Sequence, residues 1–294
     1  MMEGNKPNDA EILLTGLINH FAGGQVAAQL SPETLQALRA DLSRQQGQHF
    51  AEDMSRLWDM LGVVVTRSGR DPSGQCAEGN RGGPSADSES DLDLLNLACG
   101  RCEEGTVLSA FFGRGHRPVR QFAMDLRERE IGSAKRRYEA TEKLFEAHGV
   151  PRIRSSDGRR SSAEFVADDA THLLGYGQVP NRFDVVFIRH QNLWFDGPVW
   201  RRIYEFALNS IADDGLLIIT SYFDREHLLA LELLRGLGGR ILATESNPNS
   251  RPLDYPGKSV DRHVAAIGRP RKDEVDPGIV LRKESNSPKK FLSP

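Results

Sequence analysis

Residues 91–268 alternate near-continuous apolar runs with amphipathic stretches, and this alternation limits the fold more than any other feature of the chain. The runs are 92–98 (LDLLNLA), 119–124 (VRQFAM), 163–167 (AEFVA), 183–189 (FDVVFIR) and 215–222 (GLLIITSY). Helical spacing fills the intervals, most clearly over 129–148, 198–212 and 224–236. Strands that are apolar along their whole length are buried on both faces, which predicts a parallel sheet covered by helices on each side. Two last runs, 239–245 and 261–268, are joined by a Pro/Asn/Gly-rich connection with no crossover helix. Such a pair must run antiparallel. The expected class is therefore α/β: a doubly wound, mostly parallel seven-stranded sheet with a C-terminal antiparallel hairpin.

The flanks differ in composition. Residues 9–64 read as helices, with Ile12, Leu13, Leu17, Ile18 and Phe21 at helical spacing and Ser31–Pro32 opening a second helix. Their apolar stripes need a partner, which predicts a lid over the site, a substrate cap or a dimerisation or partner-docking surface. Phe50 and Trp58 fit either a pocket or a core. Residues 66–90, rich in Gly, Ser, Pro and charge, read as a flexible linker, and 269–294 as a mobile tail. No apolar run is long enough to cross a bilayer and no signal-peptide pattern opens the chain, so a cytoplasmic location is expected. The net charge of −3 and the lack of a basic patch interleaved with aromatics argue against nucleic acid as a partner.

The chemistry concentrates at the ends of the strands, where open α/β sheets bind ligands. The first run delivers Gly100 and then Gly105 in LNLACGRCEEG. A glycine there permits a tight turn and a close approach of ligand to backbone. The stretch contains neither a GxxxxGK[ST] phosphate loop nor a complete GxGxxG, since Cys102 occupies the middle position. Asp125 follows the second run, placed to accept from two ribose hydroxyls or, equally, to cap the next helix. The third run ends in Asp168, Asp169 and Ala170: a carboxylate for an exocyclic amine, and a small residue that leaves room for a flat ring. Cys99 and Cys102 lack the second ligand pair of a zinc site, so no metal is expected. Their position roughly permits a thioredoxin-like dithiol, although a small buried packing role is the plainer expectation.

With these elements in order, the chain resembles the class I S-adenosylmethionine-dependent methyltransferases over roughly residues 91–268. LLNLACGRCEEG looks like the cofactor loop, FAMDLRERE the ribose-binding strand end and FVADDATHL the adenine-side motif. FDVVFIRHQNLWFD looks like the fourth-strand motif, IADDGLLIITSYF the fifth strand and VDRHVAAIG the terminal strand. The resemblance implies S-adenosylmethionine as cofactor, with Ala98, Gly100 and Gly105 along its methionine and ribose portion. Asp125 and Leu126 would lie at the ribose, Asp169 and Ala170 at the adenine, and Arg189 and His190 beside the cofactor. Two departures stand out: Asn96 where the family commonly has an acid, and Cys102 for a glycine.

Methyl transfer asks mainly for alignment, and for a base when the acceptor is poorly acidic. His190, at the end of the fourth run, is the candidate base, and Tyr222, at the end of the fifth, a candidate substrate contact. His172 and His227 have no stronger claim than solvated or satisfied histidines. The tetrapeptide used by amino-methylating nucleic-acid enzymes is absent, RHQN standing in its place, which leaves a small molecule or a protein side chain as acceptor. Asn96 and Cys102 also motivate a non-catalytic methyltransferase-like domain that binds a partner through residues 9–64. A nicotinamide-dependent oxidoreductase would use Asp125 too, but needs neither FVADDATHL nor the closing hairpin.

Overall fold

The computed structural model describes residues 9–22, 29–72, 91–115, 118–150, 161–170, 172 and 179–269. Seven strands form one sheet: β1 (Leu92–Leu97), β2 (Val119–Asp125), β3 (Ser162–Ala167), β4 (Phe183–Arg189), β5 (Ile211–Ser221), β6 (Arg240–Ser246) and β7 (His263–Gly268). Their order is β3-β2-β1-β4-β5-β7-β6. β1 through β5 pair in parallel, and β7 runs antiparallel to both β5 and β6. This is the doubly wound sheet with a closing hairpin that the apolar runs predict. The order reverses between β1 and β4, which is where a ligand crevice opens.

Side-chain alternation divides the core in two. Leu92, Leu94, Val185, Phe187, Leu216, Ile218, Val264 and Ala266 point to one face. Leu95, Leu97, Val186, Ile188, Leu217, Ile219, Ala265 and Ile267 point to the other. The second face is covered by α6 (Gly197–Ser210) and α7 (Asp224–Gly236), which bury Tyr204, Ala207, Ala230 and Leu234. The first is covered by α4 (Gly105–Phe112), by Phe145 of α5 (Glu128–Ala147), and by the N-terminal helices α1 (Asp9–Ala22), α2 (Pro32–Gln46) and α3 (Phe50–Ser68).

Those N-terminal helices are built into the sheet's covering layer. α3 carries Met54, Leu57, Leu61 and Val64 on one stripe and packs against β6 and β7, while α1 packs on α3 and α4. Phe50 and Trp58 are core residues rather than pocket residues. Trp58 meets Phe111 edge to face at 5.1 Å, and a methyl group on Gly16 would collide with its ring. Ser31 caps α2 through the Thr34 amide, as its position before Pro32 predicts.

Several boundaries move. α3 continues to Ser68, so the expected linker begins no earlier than residue 69, and residues 73–90 lie outside the described residues. So do 270–294 of the expected tail. β1 ends at Leu97 because Ala98 turns into the left-handed region at φ 52°. β5 begins at Ile211, which pairs with Phe183 before an irregularity in register. β7 begins only at His263, which leaves Asp261 in the connection ahead of it.

Candidate functional site

The chain leaves β1 through an unusual turn. Ala98, Gly100 and Cys102 have φ of 52°, 55° and 48°, and the Cys102 amide donates to the Cys99 carbonyl at 2.8 Å. Only Gly100 adopts this region without strain. The turn aims the Gly100 amide at the end of β2, where it donates to Asp125 Oδ2 at 2.8 Å. Asp125 is buried, and Arg127 folds back on it. The Arg127 amide and Nε each donate to Oδ1 at 2.9 Å, and Nη2 donates to Oδ2 at 3.2 Å. Burial works against the Asp125 charge, but these donors win and hold the carboxyl below its ordinary range.

An open cleft of about 350 Å³ lies over this turn. It is lined by residues 98–104 together with Arg127, Glu130, Arg189, His190 and Tyr222. Its floor is a buried charge network. Asn96 Nδ2 donates to Glu104 Oε1 at 2.6 Å, and Arg189 Nη1 donates to Glu104 Oε2 at 3.2 Å. Arg189 also makes a two-pronged pair with Asp261, Nε to Oδ1 at 3.0 Å and Nη2 to Oδ2 at 2.7 Å. Burial disfavours the guanidinium's charge, but the Asp261 carboxylate beside it overrides the penalty and keeps Arg189 firmly protonated. Asp261 is held well below the usual carboxylate range, burial being outweighed by Arg189 and His190. Two carboxylates against one guanidinium leave an excess of negative charge under the cleft.

His190 ends β4 in the left-handed region, φ 58°, with Nε2 2.8 Å from Asp261 Oδ1 and 3.2 Å from the Asp261 amide. The Asp261 amide donates to Nε2, which selects the neutral tautomer with the proton on Nδ1 and leaves Nε2 as the acceptor. Burial holds the imidazole below its ordinary pKa, with Asp261 offsetting part of the effect. Tyr222 stacks on His190 at 3.8 Å and 17°, and the Lys258 ammonium sits 4.3 Å from the Tyr222 ring centre. Burial pushes the Tyr222 phenol up to about 12, so it is a neutral donor near neutral pH.

The structure thus brings Ala98, Gly100, Arg189, His190 and Tyr222 into one cleft, with Asp125 directly behind Arg127. Gly105 is not part of the lining. A Cβ there would lie 2.6 Å from Cys102 Sγ and 2.7 Å from Gln121 Nε2, so this glycine lets α4 approach β2 closely. Leu126 is largely exposed and also lies apart from the lining. Asp169 and Ala170 stand at the end of β3. They are tied to the site through the Asp168 amide, which donates to the Asp125 carbonyl at 3.2 Å, and neither lines the cleft. His172 pairs with Asp168 at the surface, while His227 is buried against Ser221, Thr244 and His263. Both are satisfied structural histidines.

Four site residues escape a reading of the sequence: Glu104, Arg127, Lys258 and Asp261. Glu104 shows one faint signal, an acid beside the glycine that opens α4. The other three depend on contacts that local patterning does not encode. No group of three or more metal-ligating side chains occurs among the described residues, and no helix among them is long and apolar enough to cross a membrane.

No family model matches the chain, and no curated protein matches it. Among solved structures it is similar to a TehB-like S-adenosylmethionine-dependent methyltransferase from Corynebacterium glutamicum, at 14% identity over 61% of this chain and 80% of that one, TM-score 0.38. It is also similar to an S-adenosylmethionine-dependent methyltransferase from Clostridium acetobutylicum, at 10% identity over 74% and 92%, TM-score 0.41. A third is the N-methyltransferase NodS from Bradyrhizobium japonicum, at 16% identity over 64% and 90%, TM-score 0.39. These likenesses concern the fold.

Proposed function

We propose that the chain is an S-adenosylmethionine-dependent methyltransferase acting on a small molecule or a protein side chain. One observation carries the reading: the Gly100 amide and the Asp125 carboxylate meet at 2.8 Å at the sheet's switch point, beside a cleft whose floor has excess negative charge. The residues present fit the cofactor. Gly100 presents backbone without a Cβ, and Asp125 supplies acceptors for a ribose diol at the neighbouring strand end. Glu104 and Asp261, set against Arg189 alone, suit a ligand that carries positive charge on sulfur and nitrogen. Asp169 and Ala170 are proposed for the adenine side.

Bound there, the cofactor would supply an electrophilic methyl group; the chain's own part is binding, alignment and proton transfer. Asp261 orients the His190 ring through Nε2, and the imidazole is the base that takes the acceptor's proton. The Asp261 charge also stabilises the imidazolium that results. A base already below the ordinary histidine range stays neutral, and therefore competent, through neutral pH. Tyr222, stacked on His190, provides a hydroxyl donor and a flat apolar surface for the acceptor.

One ground for the non-catalytic alternative, beside Cys102 and the long polar segments, is Asn96 standing where an acid is common. That ground weakens because Glu104 brings a carboxylate within 2.6 Å of the Asn96 amide. Transfer of a labelled methyl group to a panel of phenols, carboxylates, amines and peptides tests the reading. We expect turnover with at least one class, lost in His190→Ala while cofactor binding persists. Turnover at the wild-type rate in His190→Ala would remove His190 from its role.

A further inference from the structure

The CGRC segment does something the methyltransferase reading leaves unused. Cys99 and Cys102 are both buried, yet both line the cleft, and they sit at the two ends of the Cys99–Cys102 turn. A turn closed by that backbone hydrogen bond holds its terminal Cα atoms within about 7 Å. That lies at the upper edge of the range a disulfide spans. The Cys99 thiol donates weakly to the Gly100 carbonyl inside the same turn, at 3.8 Å.

The surroundings distinguish the two sulfurs. Cys102 Sγ accepts from Asn96 Nδ2 at 3.3 Å and from Gln121 Nε2 at 3.4 Å. The Asn96 amide is fixed in this orientation, and the Gln121 amide is placed this way with Ser109 as its donor. Glu104 can only accept from Asn96 Nδ2, and Gln121 Oε1 is taken by the Ser109 hydroxyl at 2.6 Å. With these two donors Cys102 carries the more electron-rich sulfur, while the Cys99 thiol keeps its proton on the Gly100 carbonyl. The Cys99 thiol is pushed well above its ordinary range, chiefly by the neighbouring Cys102 side chain and by burial.

We propose that Cys99 and Cys102 form a redox-active dithiol inside the cofactor loop, oxidised by a hydroperoxide that enters through the cleft. Cys102 sulfur attacks the distal peroxide oxygen, the O–O bond breaks, and the alcohol or water leaves, giving a sulfenic acid at Cys102. Cys99 sulfur then attacks the Cys102 sulfur, expelling water with the Cys99 proton. In total, two thiols and one hydroperoxide give one disulfide, one alcohol (or water) and one water. The two thiols lose two electrons and the peroxide gains them. The bond fixes the turn that aims Gly100 at Asp125 and draws the sulfur that Asn96 and Gln121 bind into the bridge.

The experiment uses the full chain with Cys76→Ser, treated with hydrogen peroxide and followed by intact mass and peptide mapping. The expected product is a Cys99–Cys102 disulfide that dithiothreitol reverses. In a Cys99→Ser background Cys102 is expected to stop at a sulfenic acid that dimedone traps, and in Cys102→Ser neither product forms. Both thiols surviving a peroxide dose that converts methionines to sulfoxide would overturn the proposal, as would trapping of Cys99 in preference to Cys102. Saturating S-adenosylhomocysteine should slow disulfide formation several-fold. That comparison alone rests on the proposed cofactor site, so its failure with the disulfide still forming counts against the site and not against the dithiol.

Discussion

Arg127 closes over Asp125, its guanidinium taking one hydrogen-bonding position on each carboxylate oxygen while two backbone amides take the others. A ribose diol can reach Asp125 only by displacing that guanidinium, whose side chain is 64% exposed and free to swing out. With the guanidinium mostly in water, screening limits this pair's worth to about 1 kcal/mol, or roughly fivefold in affinity. Arg127→Ala should therefore tighten S-adenosylhomocysteine binding by about fivefold, and Asp125→Ala should abolish it, both read by calorimetry. Weaker binding in Arg127→Ala would mean that the arginine is itself a ligand contact.

Asp261 holds Arg189 and His190 together from the β6–β7 connection. Removing one member of a buried ion pair leaves the other uncompensated, at a cost of about 3–5 kcal/mol. Asp261→Asn should lose stability of that order, measured by urea unfolding at pH 7. The pH dependence has a definite sign. The folded-state pKa of Asp261 is depressed, so its contribution is complete above the ordinary carboxylate range and is lost as pH falls toward the folded value. The gap between wild type and variant should narrow as the solution is acidified below pH about 4.

Asn96 and Glu104 form the mirror case. Asn96→Asp sets a second carboxylate against one only 2.6 Å from the present amide. Two carboxylates that close cannot both ionise. The variant should be less stable above pH 6 and recover toward wild type as acid protonates the pair, which paired thermal melts would detect. Equal melting temperatures at pH 5 and pH 8 would contradict the hydrogen bond.

Glu226 is buried at the start of α7, where it accepts from the Tyr222 amide at 3.2 Å and from the Phe223 and Leu193 amides. Burial outweighs those donors and lifts its carboxyl to about 7. A raised folded-state pKa means the native chain binds the proton more tightly than the unfolded one, so this residue's contribution declines as pH rises from about 4.5 to 7. His227, lowered to about 4 by burial, acts in the opposite direction over much of that window. The difference between Glu226→Gln and wild type isolates the carboxyl. Relative to wild type, the variant should gain stability from pH 5 to pH 8 in urea titrations. A parallel pair of curves would refute the shift.

Gly105→Ala places a methyl group 2.6 Å from Cys102 Sγ and 2.7 Å from Gln121 Nε2. Overpacking at such a contact costs about 1–3 kcal/mol. The expected result is a lower unfolding midpoint with ligand affinity changed only as far as the Cys102 turn moves. An unchanged midpoint would show that α4 can retreat from β2.

The apolar runs made the sheet, its direction and its closing hairpin legible, because a two-faced buried strand leaves a local record in its own residues. Gly100 and Asp125 were legible for a related reason: each directly follows a strand, so the strand fixes its place. Glu104, Arg189 and Asp261 come from three separate segments, and nothing near Asp261 in the chain records that it meets Arg189, 72 residues away. The packing part of Gly105 was not legible, because a glycine needed for close approach is written the same way as one needed for a ligand. The N-terminal helices showed their apolar stripes, but not that the half of the sheet formed by β5, β7 and β6 lacked a cover on one face until α3 supplied it.

The most direct test is a calorimetric titration of the full chain with S-adenosylhomocysteine, with NAD as the control. One site per chain with micromolar or tighter affinity for S-adenosylhomocysteine, and no heat with NAD, is the expected result. Binding of NAD alone, or of neither ligand, would contradict it.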